Sequence, residues 1–115
     1  MILNDHVSFQ EFQNLGAKYI PTVGGVTDLA YATMSMCGEA GEVAEKVKRI
    51  YRGDNEAKDP FYDRQIAAEL GDVLWCLAAV CTALDIPLEQ VAVESLKKMD
   101  SRAKRGVLKG SGDNR

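Results

Sequence analysis

Apolar positions recur at intervals of three and four residues along most of this chain, and no stretch alternates with the period of two expected of a half-buried strand. That pattern predicts four helices. The first opens on Ser8-Phe9-Gln10-Glu11, a capping box around which Val7 and Phe12 can form a hydrophobic staple. It runs to about Ile20, where Pro21 stops it. Thr22-Val23-Gly24-Gly25-Val26 is expected as a loop, with Thr27 or Asp28 capping the second helix. The second helix extends from about Asp28 to Arg52 and stops at Gly53; its apolar stripe is Leu29, Ala32, Met36, Ala40, Val43, Val47 and Ile50.

After a polar connector over residues 52–58, Asp59-Pro60 supplies a cap and a first-turn proline for the third helix, which runs to about Leu84. From Val73 through Leu84 it carries no charged residue, so it belongs in the middle of a bundle; these twelve residues are too few to span a membrane. Asp85-Ile86-Pro87 breaks the chain and starts a fourth helix, from about Pro87 to Arg105. Gly106 ends it, and residues 106–115 form a glycine-rich tail, for which flexibility is the default expectation. The fold class is all-α: a four-to-five-helix bundle, with residues 1–115 as a single domain.

Two features break the apolar stripes. Gly38 and Gly41 lie inside the second helix, each at a cost of up to about 1 kcal/mol relative to Ala. They suggest close approach by another backbone or a ligand, and simple helix packing explains them equally well. The second feature is two carboxylate pairs spaced i to i+3, Glu39 with Glu42 and Glu69 with Asp72. On a helix such positions lie 60° apart and one turn along, so both side chains reach toward one point. Glu39 falls at the edge of its stripe beside Met36 and Ile50, Glu69 near Ile66 and Val73, and Asp72 next to Cys76.

Four carboxylates at such positions cannot all stay charged without a positive partner, because burial and like charges both raise their pKa values. A divalent cation is the natural partner. Oxygen ligands without His or Cys select Mg²⁺, or Mn²⁺ as a substitute, over zinc. Such an ion can clamp phosphates and lower the pKa of an attacking water, with one glutamate left free as general base. The plainer reading is that ExxE pairs are common on solvated faces, and that Glu42 and Lys46 form an ordinary i, i+4 ion pair.

Charge sharpens the picture. The 115 residues carry a net −3, but residues 94–115 hold seven basic side chains against three acidic ones, a net +4, and the rest holds seven against fourteen, a net −7. An acidic body with a basic end suits a metal and a small polyphosphate; it suits duplex nucleic acid poorly. Ser95, Lys98, Arg102 and Arg105 share one face of the fourth helix, a row of cations able to meet phosphates, although a helix C-terminus favours basic residues in any case. The three cysteines, Cys37, Cys76 and Cys81, form no CxxC and read as buried thiols. His6 is the sole histidine. Met1-Ile2-Leu3-Asn4-Asp5 has no signal-peptide character, and a cytoplasmic protein is expected.

At these residues the chain resembles the MazG-like nucleoside triphosphate pyrophosphohydrolases, an all-α superfamily. The resemblance rests on the ExxE helix Gly38-Glu39-Ala40-Gly41-Glu42-Val43-Ala44-Glu45 and the ExxD helix Glu69-Leu70-Gly71-Asp72-Val73-Leu74-Trp75. Lys98 with Arg102 and the tail Lys109-Gly110-Ser111-Gly112-Asp113-Asn114-Arg115 add to it, so that it covers about residues 8 to 115. Ser95 stands where relatives often have Asn, and Gly38 where many have Glu.

The resemblance implies Mg²⁺ bound by Glu39, Glu42, Glu69 and Asp72, with Lys98 and Arg102 near the triphosphate and Lys46 a weaker candidate. It implies conversion of a nucleoside triphosphate and water to monophosphate and pyrophosphate. It also implies a site assembled between subunits, a homodimer or homotetramer, which fits a chain with too few helices to cover residues 73–84 alone. Trp75, Tyr31 and Phe9 are candidates to stack on a base, and Gln10, Gln13 or Asn14 to bond its edge, each with packing as the alternative. The rival functions are a non-catalytic nucleotide- or protein-binding module of the same fold, and a redox di-metal bundle, which the lack of Glu-x-x-His ligands disfavours.

Overall fold

The computed structural model describes residues 5–115, so the reading of the leader lies, for residues 1–4, outside the described residues. Four helices form: α1 (Phe9–Ala17), α2 (Leu29–Arg52), α3 (Tyr62–Ala83) and α4 (Leu88–Lys104). The capping box of α1 closes in both directions, with Glu11 N–H donating to Ser8 Oγ at 3.0 Å and Ser8 N–H to Glu11 Oε1 at 3.2 Å. Phe12 packs on the inner apolar cluster, while Val7 stands exposed. Asp28 caps α2 through Tyr31 N–H at 2.7 Å, and Gly53 ends it in the left-handed region at φ 79°.

Four details differ from the sequence reading. α1 ends at Ala17 rather than at about Ile20, giving way to turns in which Tyr19 N–H donates to the Gly16 carbonyl and Ile20 N–H to the Ala17 carbonyl. The expected loop after Pro21 holds a small antiparallel hairpin, β1 (Thr22–Val23) paired with β2 (Val26–Thr27), turning on Gly24 and Gly25 at positive φ. Two-residue strands are too short to show a period. The polar connector contains a 3₁₀ turn, Asn55–Lys58. Asp59 does not cap α3: its carboxylate accepts from Phe61 N–H at 2.7 Å in a turn ahead of the helix, Phe61 takes the cap position without a side-chain bond, and α3 starts at Tyr62 rather than at Pro60.

The four helices pack as an open arrangement. α2 lies along α3, α1 crosses α3, and α4 returns against α1 and α3. The core is split into two clusters, Ile20–Ala32–Ala79, on which Ala17, Trp75 and Val80 pack, and Ala78–Cys81–Leu88, on which Phe12 and Leu77 pack. Tyr62 is buried and its hydroxyl donates to the Lys46 carbonyl at 2.9 Å, tying α3 to α2. Gln13 fastens the other end: its amide donates to Thr82 Oγ1 at 3.3 Å and the Ile86 carbonyl at 3.0 Å, and its oxygen accepts Leu88 N–H at 2.8 Å.

The chain is not closed on itself. Its radius of gyration is 17.2 Å, against about 13 Å for a compact domain of this length. Its accessible surface is 8354 Å², against about 6,200 Å² expected for its mass. Of the expected α2 stripe only Ala32 is buried; Leu29 and Ile50 are exposed, and on α3 so are Leu70 and Leu84. By length and composition the whole of α3 could cross a membrane, because its apolar character extends N-terminally past Val73. Glu69 and Asp72 lie in the middle of it.

Candidate metal and phosphate sites

The carboxylate cluster forms where α2 and α3 run side by side. Oxygens of Glu39, Glu69 and Asp72 all lie within 4.8 Å of one another, with Glu39 and Glu69 half-buried and Asp72 exposed. Glu42, the fourth expected acid, is exposed and falls outside this group, although its charge still acts on Glu39. Lys46 does not follow the i, i+4 alternative with Glu42. Its ammonium reaches across to Glu69 Oε1 at 3.8 Å.

Electrostatics mark Glu39 as the strained member. Loss of solvation pushes its carboxyl above the usual range, and the charges of Asp72, Glu69 and Glu42 push it further the same way. Cys76 lies beside the same acids, and its thiol is raised first by burial and then by Glu39 and Asp72. A set made wholly of oxygens, with more negative charge than Lys46 balances, suits a hard cation such as Mg²⁺ or Mn²⁺. Around the acids the backbone is bare: a Cβ at Gly38, Gly41 or Gly71 would meet no atom of this chain within 4 Å.

The other expected site residues lie elsewhere. Trp75 is committed to packing, its indole N–H donating to the Gly16 carbonyl at 3.2 Å, with Gly16 so close that a Cβ there would sit 3.1 Å from the ring. It forms one wall of a narrow cavity with Tyr31, Ser35, Asp28 and Cys76. Gln13 is buried and engaged with Thr82, Ile86 and Leu88, and Gln10 donates to Asn14 Oδ1 at 2.9 Å. Cys76 and Cys81 are buried as expected. Cys37, expected to be buried, is exposed on α2.

The α4 cations gather at the tail. Arg102 is 7% exposed, and its Nη2 donates to the Asp113 carbonyl at 3.0 Å and to Asp113 Oδ1 at 3.3 Å. Lys98 Nζ meets the same carboxylate at 3.4 Å. Residues 106–115, expected to be flexible, fold back into a loop closed by Arg115, which donates to the carbonyls of Val107, Leu108 and Gly112. Hydrogen bonds from Arg102 and then Lys98 hold the Asp113 carboxyl below its ordinary range. A lowered folded value means that docking is favoured above the ordinary aspartate value and lost as pH falls through the depressed one. The amide resonances of Gly110 and Gly112 should therefore move together in that acid window, and Asp113→Asn should abolish the transition.

Residues 30–107 match the family profile described as the MazG nucleotide pyrophosphohydrolase domain. This chain belongs to that family. The match spans both acid helices and the α4 cations, and the all-α architecture agrees with it. The chain is 39% identical over 113 residues to "Gene 37 protein" of Mycobacterium phage L5, covering 96% of this chain and 99% of that protein. It is 35% identical over 66 residues to "Uncharacterized protein YpjD" of Bacillus subtilis (strain 168), covering 57% and 59% respectively. No solved structure matches. Sequence reasoning missed Tyr62 and Asp113 as partners of site residues: one is an ordinary aromatic at a helix start, the other an acid in a tail with no periodicity.

Proposed function

We propose that this MazG-family chain hydrolyses nucleoside or deoxynucleoside triphosphates of the nucleotide pool to the monophosphate and pyrophosphate. The observation that carries the reading is the convergence of Glu39, Glu69 and Asp72 from two helices onto one point. These three would hold Mg²⁺, with Mn²⁺ a possible substitute, and Glu42 stands beside them. The chemistry a bound Mg²⁺ would supply there is neutralisation of the carboxylates, a clamp for phosphate oxygens and a more acidic attacking water. Glu42, outside the three-acid group, would be the carboxylate to accept a proton from an attacking water. Lys98 and Arg102 would take the charge of the polyphosphate, and Lys46 restrains Glu69. Trp75 shapes the cavity beside Cys76, where a base edge could rest.

The surface excess supports a homodimer or homotetramer, since it is of the order that specific interfaces bury. Sedimentation at micromolar concentration should give twice or four times the mass of one chain. A cytoplasmic location suits a nucleotide-pool enzyme.

The deciding experiment incubates pure protein with each of the eight common nucleoside triphosphates and Mg²⁺. Monophosphate and pyrophosphate should appear together in equal amounts, and chelation should stop both. Saturable nucleotide binding without turnover would instead favour a non-catalytic module of the same fold.

A further inference from the structure

The cations of α4 already have an occupant. Arg102 is a nearly buried guanidinium whose hydrogen-bond acceptors among the described residues are the carbonyl and carboxylate of Asp113, itself 84% exposed on its side chain. Its Nε is buried and finds no acceptor among the described residues. A buried guanidinium donor left unmatched is costly, and a guanidinium prefers an anion that can take two of its N–H groups at once. One aspartate from an exposed tail satisfies Nη2 alone. A phosphate, with more acceptor oxygens and more charge, would satisfy the pair better.

The tail is shaped to make this contact. Gly110 at φ 127° and Gly112 at φ 86° allow the turns that bring Asp113 back over α4, and Gly110 also leaves room for the Arg115 side chain. The Arg115 bonds to three tail carbonyls make the loop a unit. Beyond the backbone bonds of Gly106 and Val107 to the end of α4, the outer part of this unit is held down by polar bonds among Asp113, Arg115, Lys98, Arg102 and Arg105.

We propose that residues 106–115 are an intramolecular anion mimic, a strap whose Asp113 carboxylate occupies the Lys98–Arg102 polyphosphate site and is displaced when polyphosphate binds. The idea rests on reading Lys98 and Arg102 as the phosphate-binding pair. It adds that the free chain competes with its own ligand, so that the tail sets a threshold concentration for polyphosphate.

The test titrates inorganic pyrophosphate into full-length protein in metal-free buffer, which isolates the α4 cations from the carboxylate cluster. Asp113→Asn should bind pyrophosphate about two- to fivefold more tightly than the parent, the scale of one partly exposed charge pair. Adding Lys98→Met to Asp113→Asn should reverse the gain. Pyrophosphate should also speed tryptic cleavage after Lys109 in the parent, because the displaced strap opens. Equal affinities with unchanged cleavage would overturn the proposal and leave the tail a static cover. Weaker binding by Asp113→Asn would overturn it too, since the carboxylate would then be orienting Arg102 for its ligand. Turnover is scored separately: active enzyme with an unmoved pyrophosphate affinity refutes the strap alone, and an inactive chain with the tighter Asp113→Asn affinity refutes the hydrolase alone.

Discussion

Glu39→Gln is expected to lower kcat by at least about 10²- to 10³-fold while leaving the fold intact. Loss of an outer-shell partner alone costs metal sites roughly 10- to 100-fold, and Glu39 sits inside the cluster. The same substitution should change the stability of the chain in two opposite ways, depending on metal. Saturating the parent at about a hundred times its dissociation constant for Mg²⁺ adds about 2.7 kcal/mol, which is about 10 °C in Tm for a domain of this size. Glu39→Gln should lose that increment. Without metal it should be no less stable than the parent, because it removes a carboxylate that three neighbours repel.

The pH dependence follows from the same residue. Glu39 has a raised folded pKa, so the folded state binds more protons than the unfolded one between the ordinary glutamate value and the raised value. Metal-free stability should therefore fall as pH rises through that window, and both Mg²⁺ and Glu39→Gln should flatten the slope. Differential scanning fluorimetry across pH, with and without Mg²⁺, reads all of these outcomes in one set of plates.

Gln13→Ala should cost about 2–4 kcal/mol in urea denaturation. Three hydrogen bonds converge on this buried amide, and its removal leaves the Leu88 N–H and the Ile86 carbonyl without their side-chain partner at the corner between α3 and α4. The Thr82 hydroxyl loses less, since it also donates to the Ala78 carbonyl at 3.0 Å. Gln13→Leu should rescue little of the loss. It restores volume but neither the donor nor the acceptor. This corner fixes where α4 leaves the α3 axis, so the variant should also shift the α4 cations relative to the rest of the chain.

What the sequence disclosed and what it hid divide by range. Ser8 with Glu11, Asp28, Gly53 and Gly106 act on backbone three or four residues away, and each was readable because its partner lies within the same turn. The acid pairs were readable for a related reason: helical spacing fixes which side chains share a face, even before the neighbouring helix is known. A helical wheel gives angles but not the position of α3 beside α2, so it could not tell that Glu39, Glu69 and Asp72 come within 4.8 Å of one another while Glu42 stands outside that group. Contacts across long separations carry no periodic signal. Gln13 to Leu88, Trp75 to Gly16 and Tyr62 to Lys46 are of this kind. The tail is the instructive case. Its charges were counted correctly as part of a basic end, yet the one acid among them was the partner that those cations hold.

The bare backbone beside the acids has a consequence of its own. Three mid-helix glycines forgo helix stability of up to about 1 kcal/mol each, and within one chain they gain nothing in return, since a methyl group would fit at every one. A sequence optimised for the solitary chain would place alanine there. The smoothness of that surface is instead useful to whatever slides in from outside, a sugar-phosphate or the flank of a sister molecule, for which a single added methyl would be an obstacle.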